Sequence, residues 1–251
     1  MYRSISTNAI VVRRERLGEF HKSLSLLTTD LGLIAATAYG AYRMRSPLRM
    51  ASEPFTWSRA LLYHNPVKQS YKVTELEMRE SFGGLQRELS RMATASLWAE
   101  VVQKSYGAGE ISSMLFRLLL ESLRLLETSD ARREPYLTIQ FLWRFLELAG
   151  YQPETGACER CGAGLAAGRA AYYSVSVNGI LCPACGSHLP DALPAGALRY
   201  LEASRTLTLA RAVEVALEPA GLRALERTLP RMVQAVLEGE LISLRLVGAG
   251  R

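Results

Sequence analysis

Aspartate and histidine are scarce in this chain: Asp30, Asp130 and Asp191 are the only aspartates, and His21, His64 and His188 the only histidines. A two-metal nuclease needs clustered carboxylates, and three scattered aspartates do not supply them. Glu75 and Glu77 sit two apart on one strand face, the pattern of a solvated edge. No phosphate-binding loop ending in Gly-Lys-Ser/Thr is present, so nucleotide hydrolysis is not expected. The glycines Gly162, Gly164 and Gly168 lack the spacing and the strand-to-helix setting of a dinucleotide fingerprint. Long apolar runs are missing too. Met1 to Glu15 has no apolar stretch of signal-peptide length, and the most hydrophobic run, Met114 to Leu126, is broken by Arg117, Glu121 and Arg124. There are four cysteines, all in one pattern, which gives no sign of an oxidising compartment. These absences point to a cytoplasmic, non-catalytic protein with no membrane partner.

The four cysteines form two pairs, Cys158-x-x-Cys161 and Cys182-x-x-Cys185. Each tight turn aims two thiolates at one point, and a connecting hairpin returns the second pair over the first, the arrangement a tetrahedral Zn²⁺ requires. Tyr172 to Val177, a two-residue Asn178-Gly179 turn, and Ile180-Leu181 read as that hairpin. The stretch predicts a zinc ribbon over 156–190 holding one structural ion per chain. Two disulfides or four free thiols are the alternatives. His188 follows Cys185 at a spacing that would allow it to substitute as a ligand. Four thiolates leave no open position for water, which argues against catalysis at this site.

The rest of the 251-residue chain divides by period. Ala9–Val12, Phe20–Leu27, Leu33–Tyr39, Phe55–Tyr63 and Tyr71–Met78 read as five short strands, with Phe20, Leu24 and Leu26 on one face of the second. A small closed barrel such as an OB-fold leaves no long open edge. From about Gly84 the spacing turns helical. Leu85, Leu89, Met92, Ser96 and Ala99 mark one helix ending near Gly107. Ile111, Met114, Leu115, Leu118, Leu119 and Leu126 mark the next, which is also apolar through Phe116, Leu120 and Leu123 and so central to a bundle. Pro135 starts a third helix and Gly150 ends it. Helical spacing resumes after Pro194, with Leu207–Leu217 read as helix and Leu222 to Val236 as a final amphipathic one. The expected fold is α+β multidomain: an OB-fold β-barrel over 1–79 and a C-terminal α-helical domain over 80–251, with the four-cysteine zinc ribbon inserted in it.

Net charge is +6, and residues 1–77 carry eleven Lys/Arg against six Asp/Glu. No acidic side chain lies between Asp30 and Glu53. A basic barrel on a near-neutral body suits a polyanionic partner. A nucleic-acid groove needs cations along the backbone path and aromatic faces for bases. Tyr39, Tyr42, Arg43, Arg45 and Arg49 offer both, with Gly40 allowing close approach. Arg13, Arg14, Arg16 and Lys22 join them if the first two strands pair across Gly18.

The order of parts, together with Ala9-Ile10-Val11-Val12-Arg13-Arg14, Leu26-Leu27-Thr28-Thr29-Asp30-Leu31-Gly32, Ala35 to Arg43 with Gly40, and the inserted cysteine quartet, resembles the RecO family of bacterial recombination-mediator and DNA-repair proteins. The sequence departs from that pattern at Tyr42, where a basic residue is more usual. The resemblance implies binding of single- and double-stranded DNA (ssDNA and dsDNA) and annealing of strands covered by single-strand-binding protein. It also implies action with RecR to load RecA, and docking of the C-terminal tail of single-strand-binding protein on the helical body. Arg117, Arg124, Arg132, Arg133 and Arg144 are the candidate cations for that tail. Since family members differ in keeping the cysteines, it implies a structural zinc. The same electrostatics would also suit an RNA-binding ribbon/OB protein of translation.

Overall fold

The computed structural model describes residues 4–105, 110–165, 168–190 and 192–249. Five strands open the chain: β1 (Ser4–Leu17), β2 (His21–Thr28), β3 (Gly32–Ala38), β4 (Thr56–Asn65) and β5 (Ser70–Ser81), with a one-turn helix α1 (Leu48–Ala51) between β3 and β4. They close into a barrel in the order β1-β2-β3-β5-β4. The first strand is far longer than its apolar run, because it serves two partners. Its first part pairs with β4, from Ser4↔Tyr63 to Ile10↔Trp57, and its second with β2, from Ala9↔Thr28 to Leu17↔His21. A bulge between Val11 and Arg13 bends it from one to the other. A short parallel pairing, Ala36↔Tyr71 and Thr37↔Lys72, closes the ring. This OB-like topology is the one expected from strand count and turn spacing.

The barrel interior is filled by Val11, Leu24, Leu26, Leu62, Val73 and Leu76, and kept narrow by Ala9, Ala36, Ala38 and Ala60. Leu48 and Ala51 of α1 join the same core. Each large apolar side chain enclosed this way stabilises by about 1.5–3 kcal/mol.

The chain forms two compact units, 1–127 with 243–251, and 128–242. The first joins the barrel to α2 (Leu89–Lys104), α3 (Glu110–Thr128) and α9 (Leu244–Ala249). The expected helix from Gly84 is instead a 3₁₀ turn (Gly83–Arg87) followed by α2, and Leu89, placed by its spacing on the buried face, is exposed at the first position of the helix. Gly107, its expected end, lies outside the described residues. The burial of Ala93, Leu97, Trp98, Val101 and Val102 encloses α2 on most sides. In α3, Leu115, Phe116, Leu118, Leu119, Leu120 and Leu123 are all buried, as its two apolar faces require, whereas Ile111 and Met114 are exposed. The Ser112 hydroxyl donates to the Thr28 carbonyl at 2.7 Å, tying α3 to β2.

The second unit packs α4 (Glu134–Leu148) and α6 (Ala195–Ser204) with α8 (Pro219–Val236). Leu137, Phe141 and Phe145 from α4 and Leu225, Leu229, Met232 and Val233 from α8 are among its buried apolar residues. Of the helix expected over Leu207–Leu217, only α7 (Leu209–Ala212) forms. No described helix is long and apolar enough to cross a membrane.

Candidate metal centre and nucleic-acid interface

The cysteine stretch folds as a three-stranded sheet, β7 (Gly179–Leu181), β6 (Ala171–Ser174) and β8 (Ala192–Leu193) in that order, with a one-turn helix α5 (Pro183–Gly186) at the second knuckle. The hairpin is present, but its connection is longer than two residues. Ser174 pairs with Gly179, and Val175–Val177 leave the strand as a 3₁₀ turn that ends at Asn178 in the left-handed conformation (φ +44°). Val175 and Val177 are exposed there, so they had no core to keep them in the ladder. Asp191, one of the three aspartates, lies outside the described residues.

The sulfurs of Cys158, Cys161, Cys182 and Cys185 all lie within 4.8 Å of one another. The Sγ atoms of Cys161 and Cys182 lie 3.7 Å apart. Metal–thiolate bonds of about 2.3 Å in a tetrahedron give sulfur–sulfur edges of about 3.8 Å, so the quartet fits a metal ion. Backbone bonds preset the knuckles. The Cys158 amide donates to the Ala163 carbonyl and the Gly162 amide to the Cys158 carbonyl, both at 2.8 Å; the Gly186 amide donates to the Cys182 carbonyl at 2.9 Å. A Cβ on Gly186 would stand 2.8 Å from Cβ of Tyr172 and 3.0 Å from that of Leu181, so the second knuckle needs glycine to lie against the hairpin.

Proton affinities in the quartet diverge. Burial pushes the Cys158 thiol up, but hydrogen bonds from the Cys182, Cys161 and Arg160 backbones outweigh it and bring the pKa down to about 6. The neighbouring Cys161 sulfur, with burial, pushes Cys185 up to about 12. Four sulfurs crowded together compete for protons in this way, and a cation among them relieves the competition. His188 is exposed and outside the cluster.

On the barrel, Arg13, Arg14, Arg16, Arg43, Arg45 and Arg49 are all exposed. Arg13 pairs with Glu15, Arg14 Nε lies 2.8 Å from Glu53, and Arg16 Nε donates to the Gly18 carbonyl at 3.0 Å. Arg43 and Arg45 lie on the segment linking β3 to α1 and Arg49 lies within α1; Met44 and Met50 are exposed beside them in the chain. Gly40 takes φ +71° and donates its amide to His21 Nδ1 at 2.9 Å; a turn, more than close approach, needs it.

Lys22 departs from the sequence reading. It shares the inward face with Leu24 and Leu26 and is 0% exposed. Its ammonium donates to the Arg49 carbonyl (3.0 Å), Ser52 Oγ (2.8 Å) and Glu53 Oε1 (2.8 Å). It is an interior ion holding α1 and the residues after it, and has no surface to offer a ligand. Tyr42 is also engaged. Its hydroxyl accepts from Arg14 at 2.9 Å, and the Lys22 and Arg16 cations lie 5.0 and 5.7 Å from the ring centre. Tyr39 remains exposed. Phe20, expected on the buried face of the second strand, sits in the turn before β2 and is exposed; a turn residue escapes the strand's alternation.

Most of the arginines considered on the helices are tied to their own units. Arg124 makes a paired contact with Glu80 (2.7 and 2.9 Å) and covers Trp57. Arg132 grips Asp130, Arg133 bonds the Val213 carbonyl and Glu214, and Arg144 bonds the Leu207 carbonyl; Arg117 is exposed.

An OB-like barrel followed by a helical body with a four-cysteine cluster fit to hold a metal ion defines the class: a modular barrel-and-helix protein. Residues 1–82 match the family model for the recombination protein O N terminal, and residues 86–245 that for its C terminal. Proteins named DNA repair protein RecO are similar over most of the chain. That of Pelotomaculum thermopropionicum is 35% identical over 206 residues, 81% of this chain and 78% of the relative. That of Desulforudis audaxviator is 34% identical over 75% of this chain and 73% of the relative, and that of Rubrobacter xylanophilus 32% identical over 94% and 90%. The chain belongs to the RecO family, and its role lies in DNA repair and recombination.

Proposed function

We propose that the protein is a non-catalytic recombination mediator of the cytoplasm and nucleoid. It binds single- and double-stranded DNA, anneals complementary strands covered by single-strand-binding protein, and acts with RecR to help load RecA. The observation that carries this reading is the segment from Tyr39 to Arg49, which displays Arg43, Arg45 and Arg49 on a closed OB-like barrel with no acidic residue between Asp30 and Glu53. Arg13, Arg14 and Arg16 widen the positive field, although Glu15 and Glu53 partly neutralise it. The barrel, expected over 1–79 and running to Ser81 at the end of β5, is the DNA-binding part; the remainder to 251 is the helical part that meets protein partners, with the tail of single-strand-binding protein placed near Arg117. The quartet in 156–190 holds one zinc ion as a structural brace, since four thiolates fill a tetrahedral shell.

Annealing by such a protein runs on binding energy alone. One strand lies against the basic segment, and neutralised phosphates release counterions. The remaining positive field lowers repulsion as the complement approaches. The test is annealing of strands pre-covered with single-strand-binding protein, with no nucleotide added, and it should proceed. Changing Arg43 and Arg45 together to Ala should slow it and flatten the dependence of log K on log salt by roughly 1 to 1.5 units, at about 0.7 for each phosphate no longer neutralised. An unchanged slope would place the DNA elsewhere. RNA of the same sequence serves as the comparison ligand, and preference for it would favour a role in translation.

A further inference from the structure

Two aromatic side chains of the barrel belong to neither its core nor its ion network. Phe20 closes the turn between β1 and β2 and is 47% exposed; Tyr39 follows the last residue of β3 and is 53% exposed. The β2–β3 ladder brings them to one end of the same hairpin. Lys22 pairs with Ala38, and the Tyr42 amide donates to the Phe20 carbonyl at 3.0 Å, so the backbone pairing continues past the last ladder residues.

Each ring has a cation beside it. The Arg43 guanidinium carbon lies 5.7 Å from the Phe20 centroid, and the Lys72 ammonium 5.6 Å from that of Tyr39. His21 packs edge-on against Tyr39 with centroids 5.0 Å apart, and its Nδ1 is held by the Gly40 amide. The ring that braces Tyr39 is therefore itself fixed to the backbone. Tyr42, a few residues on, has its hydroxyl and its ring occupied by Arg14, Arg16 and Lys22, and is not part of this surface.

Exposed rings flanked by cations suit a ligand that alternates flat apolar faces with negative charges; Tyr39 lies in the acid-free stretch 31–52, and Glu19 is the acidic neighbour of Phe20. We propose that Phe20 and Tyr39 form a stacking subsite for unpaired bases, with Arg43 and Lys72 turning from the rings to the flanking phosphates. The proposal rests on the DNA-binding reading above and adds a selectivity to it. In a duplex the base faces are buried in the stack, so these rings act on single strands only. The arginines reach phosphates of either form. The subsite thereby separates single-strand preference, carried by the rings, from general affinity, carried by charge.

The experiment uses the full chain with Phe20→Leu, Tyr39→Leu and both together, which keep apolar volume and remove the ring. Phe20→Tyr and Tyr39→Phe serve as ring-preserving controls. The probes are a labelled oligothymidylate and a labelled duplex, each titrated at several salt concentrations. Each Leu change should weaken oligothymidylate binding by about 5- to 150-fold, the range for loss of one stacked base. Duplex affinity and both salt slopes should stay as they were, and the ring-preserving changes should restore single-strand binding. Equal losses on both probes, or no loss on oligothymidylate, overturns the subsite. If the Arg43/Arg45 change still flattens the salt slope in that case, the DNA-binding reading stands without it. Failure of the unchanged protein to bind either probe defeats both. Loss of binding in the ring-preserving variants also overturns it, since it would assign the rings to packing.

Discussion

The ion network at Lys22 makes a prediction that can be worked from its contacts. Lys22 is fully enclosed, and among the described residues Glu53 is the one carboxylate paired with it, at 2.8 Å. Glu53 has a second cation, Arg14, at 2.8 Å. The two partners are therefore unequal. Changing Lys22 to Met replaces the ammonium by an apolar group among Leu24, Leu26 and their neighbours. Glu53 keeps Arg14, and the Arg49 carbonyl keeps the Ser52 hydroxyl at 3.3 Å. The loss is then that of charge-assisted hydrogen bonds, about 1.5–3 kcal/mol. Changing Glu53 to Gln instead leaves a buried ammonium with neutral acceptors only. Removing one partner of a buried pair this way costs about 3–5 kcal/mol. The double change removes the stranded charge, and should be no worse than Glu53→Gln alone. Urea unfolding followed by circular dichroism measures all three. If Glu53→Gln is no more destabilising than Lys22→Met, or if both lie within about 0.5 kcal/mol of the unchanged protein as ordinary surface changes do, the pair does not hold this segment.

Cys158→Ser or Cys182→Ser should give protein without bound zinc and with a ribbon open to proteolysis over 156–190, since thiolate-bound zinc contributes roughly 10–16 kcal/mol in isolated zinc peptides. Metal analysis of the purified chain should find one zinc ion; disulfides in its place would refute the site. Because the Cys158 pKa in the fold is depressed to about 6, the stabilisation its thiolate provides is present above its ordinary value of 9.0 and is lost as pH falls through about 6. Acidification should release the metal, since protons compete with it for the thiolates, and a colorimetric chelator reads the release. Asp30 should shape the acid limb of stability. Hydroxyls of Thr7 and Thr29 donate to its carboxylate and hold its pKa below the ordinary 3.8, so its contribution is present above that value and fades as pH falls through the lower one. Asp30→Asn should flatten stability against pH in that range, and an unaltered acid limb would show that the hydroxyls do not matter.

Local pattern made much of this protein legible. Two Cys-x-x-Cys turns carry their own geometry, because each knuckle is set by backbone bonds within a few residues, and the spacing alone announced a cluster. Five short strands with turns between them implied closure, since an open sheet of that size would leave a bare edge. The apolar residues on both sides of α3 foretold a helix buried on both faces. Charge without acidic interruption, from Leu31 to Ser52, identified the basic segment.

Alternation and composition failed where a residue's role depends on something distant in the chain. Phe20 read as core because it is in step with Leu24 and Leu26, yet the strand begins one residue later and the turn carries the ring outward. Lys22 read as a surface cation, although the same alternation that buries Leu24 buries it; its tolerance inside depends on Glu53, thirty-one residues on. Tyr42 read as a free aromatic until Arg14 and Arg16 folded back over it from β1. The sequence by itself determined the barrel, the helical body, the cysteine quartet and the sign of the charge on the barrel, because each is set by residues near one another in the chain or by composition. Which basic and aromatic side chains face solvent was decided only by the tertiary structure. An ammonium or a ring takes its role from whether an acceptor or a cation arrives beside it from another strand, and sequence spacing does not encode that meeting.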